Sequence, residues 1–258
     1  TAENLAWRNL RGRQAILDGC AASAACAARY PDLADSFDEM VARYDATPHP
    51  TAAVDGEGNP ITIQVTGADV VAGLFQAQYD ASFVPVVPFA IDQLAAGNTG
   101  LIDALASQGI DFWHGLSAGL AASVQCADRQ QHTVGSDPEA VVADHPELAL
   151  FLVAAGLLAH CDGWDVPSVS DAFAQPVTGD VPTFVLSGRY DPITPPEYGA
   201  EAAAALDDAT HVVMPNGGHG QVHATSCATG LFRTFLVDPA ADLDTSCVAA
   251  VGDPAWVV

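Results

Sequence analysis

Between Pro182 and Leu236 two short apolar runs alternate with two helical ones, and this alternation restricts the fold more than any other feature of the chain. Pro182-Thr183-Phe184-Val185-Leu186-Ser187-Gly188 is a β-rich run ending in Gly, the pattern of a buried parallel strand. An acidic loop follows, then a helix: Pro195 and Pro196 suit its first turn, Glu197 suits the positive end of its dipole, and Ala200 to Leu206 continue it. Thr210-His211-Val212-Val213-Met214 reads as a second strand, closed by Pro215-Asn216-Gly217-Gly218 ahead of His219. Val222, Cys227, Leu231, Phe232, Phe235 and Leu236 then stripe a final helix. Such an order implies an α/β architecture with parallel strands and a right-handed crossover. It places the loops carrying Asp191 and His219 side by side at the carboxyl ends of neighbouring strands.

Upstream, the chain reads as helices. Leu33, Phe37, Met40, Val41 and Tyr44 form one amphipathic stripe entered through Pro31-Asp32, and Val70, Val71, Leu74, Phe75 and Tyr79 form another after Thr66-Gly67. Ile61-Thr62-Ile63-Gln64-Val65 alternates apolar and polar and predicts an isolated short strand or hairpin arm. Residues 84–160 continue as Ala- and Leu-rich helical stretches broken at prolines and glycines, and the character changes near Pro176.

The 32 acidic residues against 8 basic ones, all Arg, give a net charge of -24. A surface of that sign repels nucleic acid and anionic lipid, so neither is expected as a partner. Carboxylates without Lys fit a surface kept soluble in high salt, and equally an ordinary acidic protein from a GC-rich genome. No apolar run approaches the length of about 18 residues a membrane span needs, and Thr1-Ala2-Glu3-Asn4 lacks a signal pattern, so any leader is expected to be already removed. Cys20, Cys26, Cys126, Cys161, Cys227 and Cys247 make an even set without Cys-x-x-Cys, which predicts three disulfides in an exported protein, with buried free thiols as the alternative. Nearest-neighbour pairing (20 with 26, 126 with 161, 227 with 247) is the expectation among the fifteen possible connectivities.

A histidine serves as a general base near neutral pH when a carboxylate on its second nitrogen holds the tautomer and offsets the charge it acquires. Asp191 and His219 fit that pairing, and the glycines around His219 leave its ring uncrowded. At Phe184 to Thr194 and Met214 to Gly220 the sequence resembles the C-terminal region of the tripeptidyl-aminopeptidase-like (TAP-like) α/β hydrolases, which are secreted serine exopeptidases. Further phrases carry the resemblance: Cys20-Ala-Ala-Ser-Ala-Ala-Cys26 with Tyr30-Pro31-Asp32, Val124-Gln125-Cys126-Ala127-Asp128, and Cys161-Asp162-Gly163-Trp164. The resemblance implies an α/β-hydrolase fold, Asp191 as triad acid and His219 as triad base, a peptide substrate cleaved from a free N-terminus, and no cofactor. It also implies a mostly helical lid over residues 1–175, followed over 176–258 by the last strand-helix units of the core sheet.

In that family the nucleophile sits on a Gly-x-Ser-x-Gly elbow before the Cys-x5-Cys segment. The expected partner of this chain is therefore an N-terminal hydrolase segment carrying the Ser. Gly115-Leu116-Ser117-Ala118-Gly119 matches the elbow pattern, in the right order with Asp191 and His219, and keeps open an esterase-like alternative. Its context is wrong, because only Ile110-Asp111-Phe112-Trp113 offers an entering strand after a hundred helical residues. Other readings are weaker. His219-Gly-Gln-Val-His223 has the spacing of two metal ligands on a helix but lacks the Glu and a third ligand, so no metal is expected. Thr1 as an N-terminal nucleophile would need a strand-rich core. A hydrolase-derived binding protein without activity is the non-enzymatic alternative. For the amino group of an exopeptidase substrate, Asp128 and Asp162 are candidates, each beside a cysteine, with solvated surface carboxylates as the plainer reading.

Overall fold

The computed structural model describes residues 5–55, 57–106, 115–128, 138–151, 161 and 164–258. They divide into two compact units, one formed by Thr1–Leu10, Asp32–Ala77 and Phe89–Gln175, the other by Arg11–Pro31, Gln78–Pro88 and Pro176–Val258. The second unit takes in two segments upstream of Pro176, Arg11–Pro31 and Gln78–Pro88.

In the first unit, helix α3 (Leu33–Ala46), which follows α1 (Leu5–Ala22) and α2 (Ala24–Arg29), buries Leu33, Phe37, Met40 and Tyr44, as the stripe predicts. Strand β1 (His49–Val54) pairs antiparallel with β2 (Pro60–Val65), His49 opposite Val65 and Val54 opposite Pro60. The Asp55 carboxylate holds the turn between them by accepting the Glu57 and Asn59 amide N–H groups at 2.9 and 2.8 Å. The Ile61–Val65 segment is thus a hairpin arm rather than an isolated strand. Its partner escapes the sequence because Pro50 cannot donate to a ladder and Thr-Ala-Ala carries little β preference. Helix α4 (Gly67–Ala77) buries Val70, Val71, Leu74 and Phe75. Its entry is capped by Asp69, whose carboxylate accepts the Thr66 N–H and hydroxyl at 2.8 and 2.6 Å. From α3, the Arg43 guanidinium donates to the Ala95 carbonyl at 2.9 Å, at the end of α5 (Val87–Ala95). Farther on, α6 (Ala118–Asp128), which α7 (Pro138–Asp144) follows, is joined to Cys161 through the Cys126–Cys161 disulfide, and the Trp164 indole donates to Ser123 Oγ at 3.0 Å.

The second unit holds the α/β element. Strands β3 (Thr183–Gly188) and β4 (Ala209–Met214) pair in parallel, Thr183 opposite Ala209 and Gly188 opposite Met214. The period of two then sorts the side chains by face. Val185, Ser187 and His211 meet Gly199 of α8 (Pro196–Ala204), the crossover helix. On the opposite face Val212 and Met214 pack with Ala228 and Leu231 of α9 (Ser226–Val237), and Phe184, Leu186 and Cys227 join them. The Cys227–Cys247 disulfide ties α9 to α10 (Ser246–Val251), and Cys20–Cys26 closes the third bridge. All three cysteine pairs are the nearest-neighbour ones that the sequence predicts. No helix among the described residues is long and apolar enough to cross a membrane.

Candidate active site

Each of the two parallel strands hands the chain into a loop at its carboxyl end, and those loops meet. Residues 189–195 leave β3 and carry Asp191; residues 215–220 leave β4 and carry His219. His219 Nδ1 lies 3.1 and 3.0 Å from the two carboxylate oxygens of Asp191. An ionised carboxylate only accepts, so Nδ1 carries the proton and Nε2 is left with its lone pair. The strand register brings this about: Gly188 lies opposite Met214, so the two loops start level with each other.

Asp191 is buried, and a carboxylate in that position needs several donors to offset its lost hydration. Oδ1 accepts the N–H groups of Ile193 and Thr194 at 2.7 and 2.8 Å, and Oδ2 accepts the Thr194 hydroxyl at 2.8 Å. Burial pushes the Asp191 pKa up, but the hydrogen bonds from His219, from the Thr194 and Ile193 amides and from the Thr194 hydroxyl outweigh it, and the net shift is downward. The hydrogen bond to Asp191 raises the His219 pKa, partial burial works against it, and the Asp191 charge adds to the rise. Thr194 Oγ also lies 3.3 Å from His219 Nδ1, so one hydroxyl braces both partners.

Two contributors carry no sequence signal. Arg11 of α1 donates to the Arg189 carbonyl at 2.6 Å and to the Glu197 carboxylate at 3.2 Å, so it ties the start of the acid loop to the helix that follows the loop. Tyr79, which the helical stripe assigns to a core face, gives its carbonyl to the His219 N–H at 3.0 Å and its ring edge-on to the imidazole at 5.2 Å. Both come from segments distant in sequence.

The His219 side chain is 36% exposed and opens onto a cleft of about 660 Å³ lined by Tyr79, Asp80, Ser82, Asn216 and His223 among others. His219 and His223 do not share a helix face: Gly220 takes a φ of +75° and only Gln221–His223 form a short 3-10 turn. Among the described residues there is no group of three or more His, Cys, Asp or Glu side chains placed to hold a metal.

Ser117 is exposed and stands just ahead of α6, in the first unit, whereas Asp191 and His219 belong to the second. A nucleophile elbow strains its serine, yet no described residue other than Gly has a positive φ, Ser117 included. No described strand runs into it, and Ile110-Asp111-Phe112-Trp113 lies outside the described residues. The Asp162 position and the Asp128 side chain are likewise outside what is described.

Residues 151–247, which contain both loops, match the family described as TAP-like protein. This C-terminal part of the chain is thus a TAP-like α/β-hydrolase segment, and the match implies the α/β-hydrolase fold for it. The Cys20–Asp32 and Val124–Asp128 phrases lie outside the matched residues. No curated protein and no solved structure matched the chain.

The paired loops set a pH dependence whose sign follows from the two shifts. For His219 to act as a general base it must be neutral, and in that role hydrolysis is expected to fall as pH drops through a His219 pKa above the ordinary value of about 6.5. The contribution of the pair to stability runs differently. The raised His219 pKa makes its share complete below the unfolded imidazole value and lost as pH rises through the folded one. The lowered Asp191 pKa makes its share complete above the unfolded carboxylate value and lost as pH falls through the folded one. A pH–rate profile of kcat/KM alongside a pH series of denaturation midpoints checks both. A rate that is flat from pH 5 to 8 would remove His219 as the base.

Proposed function

We propose that this chain forms part of a secreted serine exopeptidase, with Asp191 and His219 as two members of a Ser-His-Asp triad. The supporting observation is the Nδ1-bonded imidazole, held by a buried carboxylate, with Nε2 left to serve a cleft. In this reading a serine from an N-terminal hydrolase segment attacks the peptide carbonyl, and His219 Nε2 takes its proton. The proton is then given to the leaving amine, and water repeats the cycle on the acyl-enzyme. Asp191 keeps the tautomer and offsets the imidazolium charge. The three disulfides suit an oxidising, extracellular setting.

The exopeptidase reading requires something to hold the free amino group of the substrate. Asp80 lines the same cleft as His219, and one of its oxygens is engaged by the Ser82 N–H at 2.8 Å. Its second oxygen can accept from an ammonium group. The complete protein is expected to cleave peptides with a free N-terminus faster than their N-acetylated forms, and Asp80→Asn to reduce that ratio by about fivefold, as suits an exposed charge pair. Equal rates on free and acetylated peptides with wild type would argue against an exopeptidase, and a ratio untouched by Asp80→Asn would move the amine site elsewhere.

A further inference from the structure

The loop that carries His219 is held by three backbone contacts. The Tyr190 N–H donates to the Gly217 carbonyl at 2.8 Å, the Gln221 amide donates to the Gly218 carbonyl at 2.6 Å, and the Tyr79 carbonyl accepts the His219 N–H at 3.0 Å. Two of these use main-chain groups and depend on no side chain. Gln221 is different, because among the described residues it is the side chain that bonds to the peptide unit directly preceding His219.

Gln221 is only 3% exposed. The orientation of its amide follows from chemistry: the Gly218 carbonyl can only accept, so the –NH2 end must face it. The opposite end, Oε1, is pressed toward Gly217, where an added Cβ would come within 2.2 Å of it. No described protein group donates to Oε1. For packing alone, a buried side chain with one polar end unmatched is a poor choice beside Leu or Met of similar volume. What the amide supplies, and an apolar side chain cannot, is a donor aimed at Gly218.

We propose that Gln221 is the positioning residue of the base: its amide fixes the Gly218–His219 peptide plane, so that the imidazole meets both Asp191 oxygens and presents Nε2 to the cleft. The inference rests on reading His219 as the general base. The mechanism is orientation alone, since Gln221 bonds to the backbone behind the imidazole. Among the described residues, the titratable groups around that ring are Asp191 at Nδ1, Tyr79 packed against it at 5.2 Å, and Asp80 and His223 in the lining of the cleft.

The test is Gln221→Met in the complete protein, with His219 followed by imidazole C–H NMR and peptide hydrolysis measured in parallel. Gln221→Met preserves volume and removes the donor. The His219 midpoint is expected to move down toward that of a free imidazole, with kcat lowered about ten- to a hundredfold and KM unchanged, as suits a misplaced catalytic group. If Gln221→Met does not fold, Gln221→Asn, which keeps the amide but withdraws it by one methylene, is read in the same way. A folded variant whose His219 midpoint and kcat match wild type, with only the thermal midpoint altered, would overturn the proposal. Failure of the exopeptidase reading would look different: the NMR shift would appear, yet wild type would hydrolyse no peptide.

Discussion

Replacing His219 with Ala is expected to lower peptide hydrolysis by the complete protein at least a thousandfold, because in the proposed triad it removes the group that takes the serine proton and returns it to the leaving amine. Loss of a triad member costs about 10³ to 10⁶ in rate, the remainder coming from substrate binding and oxyanion stabilisation. A fluorophosphonate probe should label one serine in wild type and label it far more slowly in His219→Ala, since the same base activates the serine toward both electrophiles. Locating the labelled residue carries as much information as the rate. Label on a Gly-x-Ser-x-Gly serine of an N-terminal hydrolase segment supports the proposed triad. Label on Ser117 would contradict its assignment here and restore the Gly115–Gly119 phrase as the elbow. Activity in His219→Ala above about a thousandth of wild type would remove His219 from the mechanism.

The second large effect concerns the backbone contact on which the site is built. A Cβ on Gly188, the last residue of β3, would fall 2.1 Å from the Gly218 carbonyl oxygen and 2.6 Å from that of Gly217. Both obstacles are main chain in the loop that holds His219, and Gly218 is itself packed against the Gln78 carbonyl, so neither can turn aside like a flexible side chain. Gly188→Ala is therefore expected to cost about 3 kcal/mol. For a chain of this size that corresponds to a thermal midpoint lower by about 6–12 °C. Activity should fall as well, because the loop is displaced from Asp191. Gly230→Ala in α9 is the control: nothing lies within 4 Å of its added Cβ, and a helical Gly exchanged for Ala gains about 0.5–1 kcal/mol. Equal thermal midpoints for the two variants would show that the close approach at Gly188 does not constrain the fold.

Much of the second unit was legible in the sequence because its signals are local. A strand of six residues bounded by Gly, a proline-started helix and a second strand declare themselves by period and composition, and parallel pairing follows from the intervening helix. Asp191 and His219 could be paired for the same reason: both directly follow neighbouring strands. The β1–β2 hairpin was half legible, since Pro50 disguises one arm. The Cys pairings followed from sequence proximity, with two of the three bridges spanning 20 residues or fewer. Residues acting from afar left no trace. Arg11 reads as an ordinary cation on a helix and Tyr79 as a core aromatic.

By itself, the sequence determined the α/β character of residues 182–236 and pointed to the pairing of Asp191 with His219 and to nearest-neighbour disulfides, because each depends on periodicity, spacing or residue chemistry along a short stretch. Only the tertiary structure decided how that pair is held. Arg11 closes on the acid loop and the Tyr79 carbonyl on the base loop across large separations in sequence, and Gly188 matters through a main-chain approach of a few ångströms. Such contacts depend on where the backbone goes in space, and no pattern of residue types along the chain encodes that position.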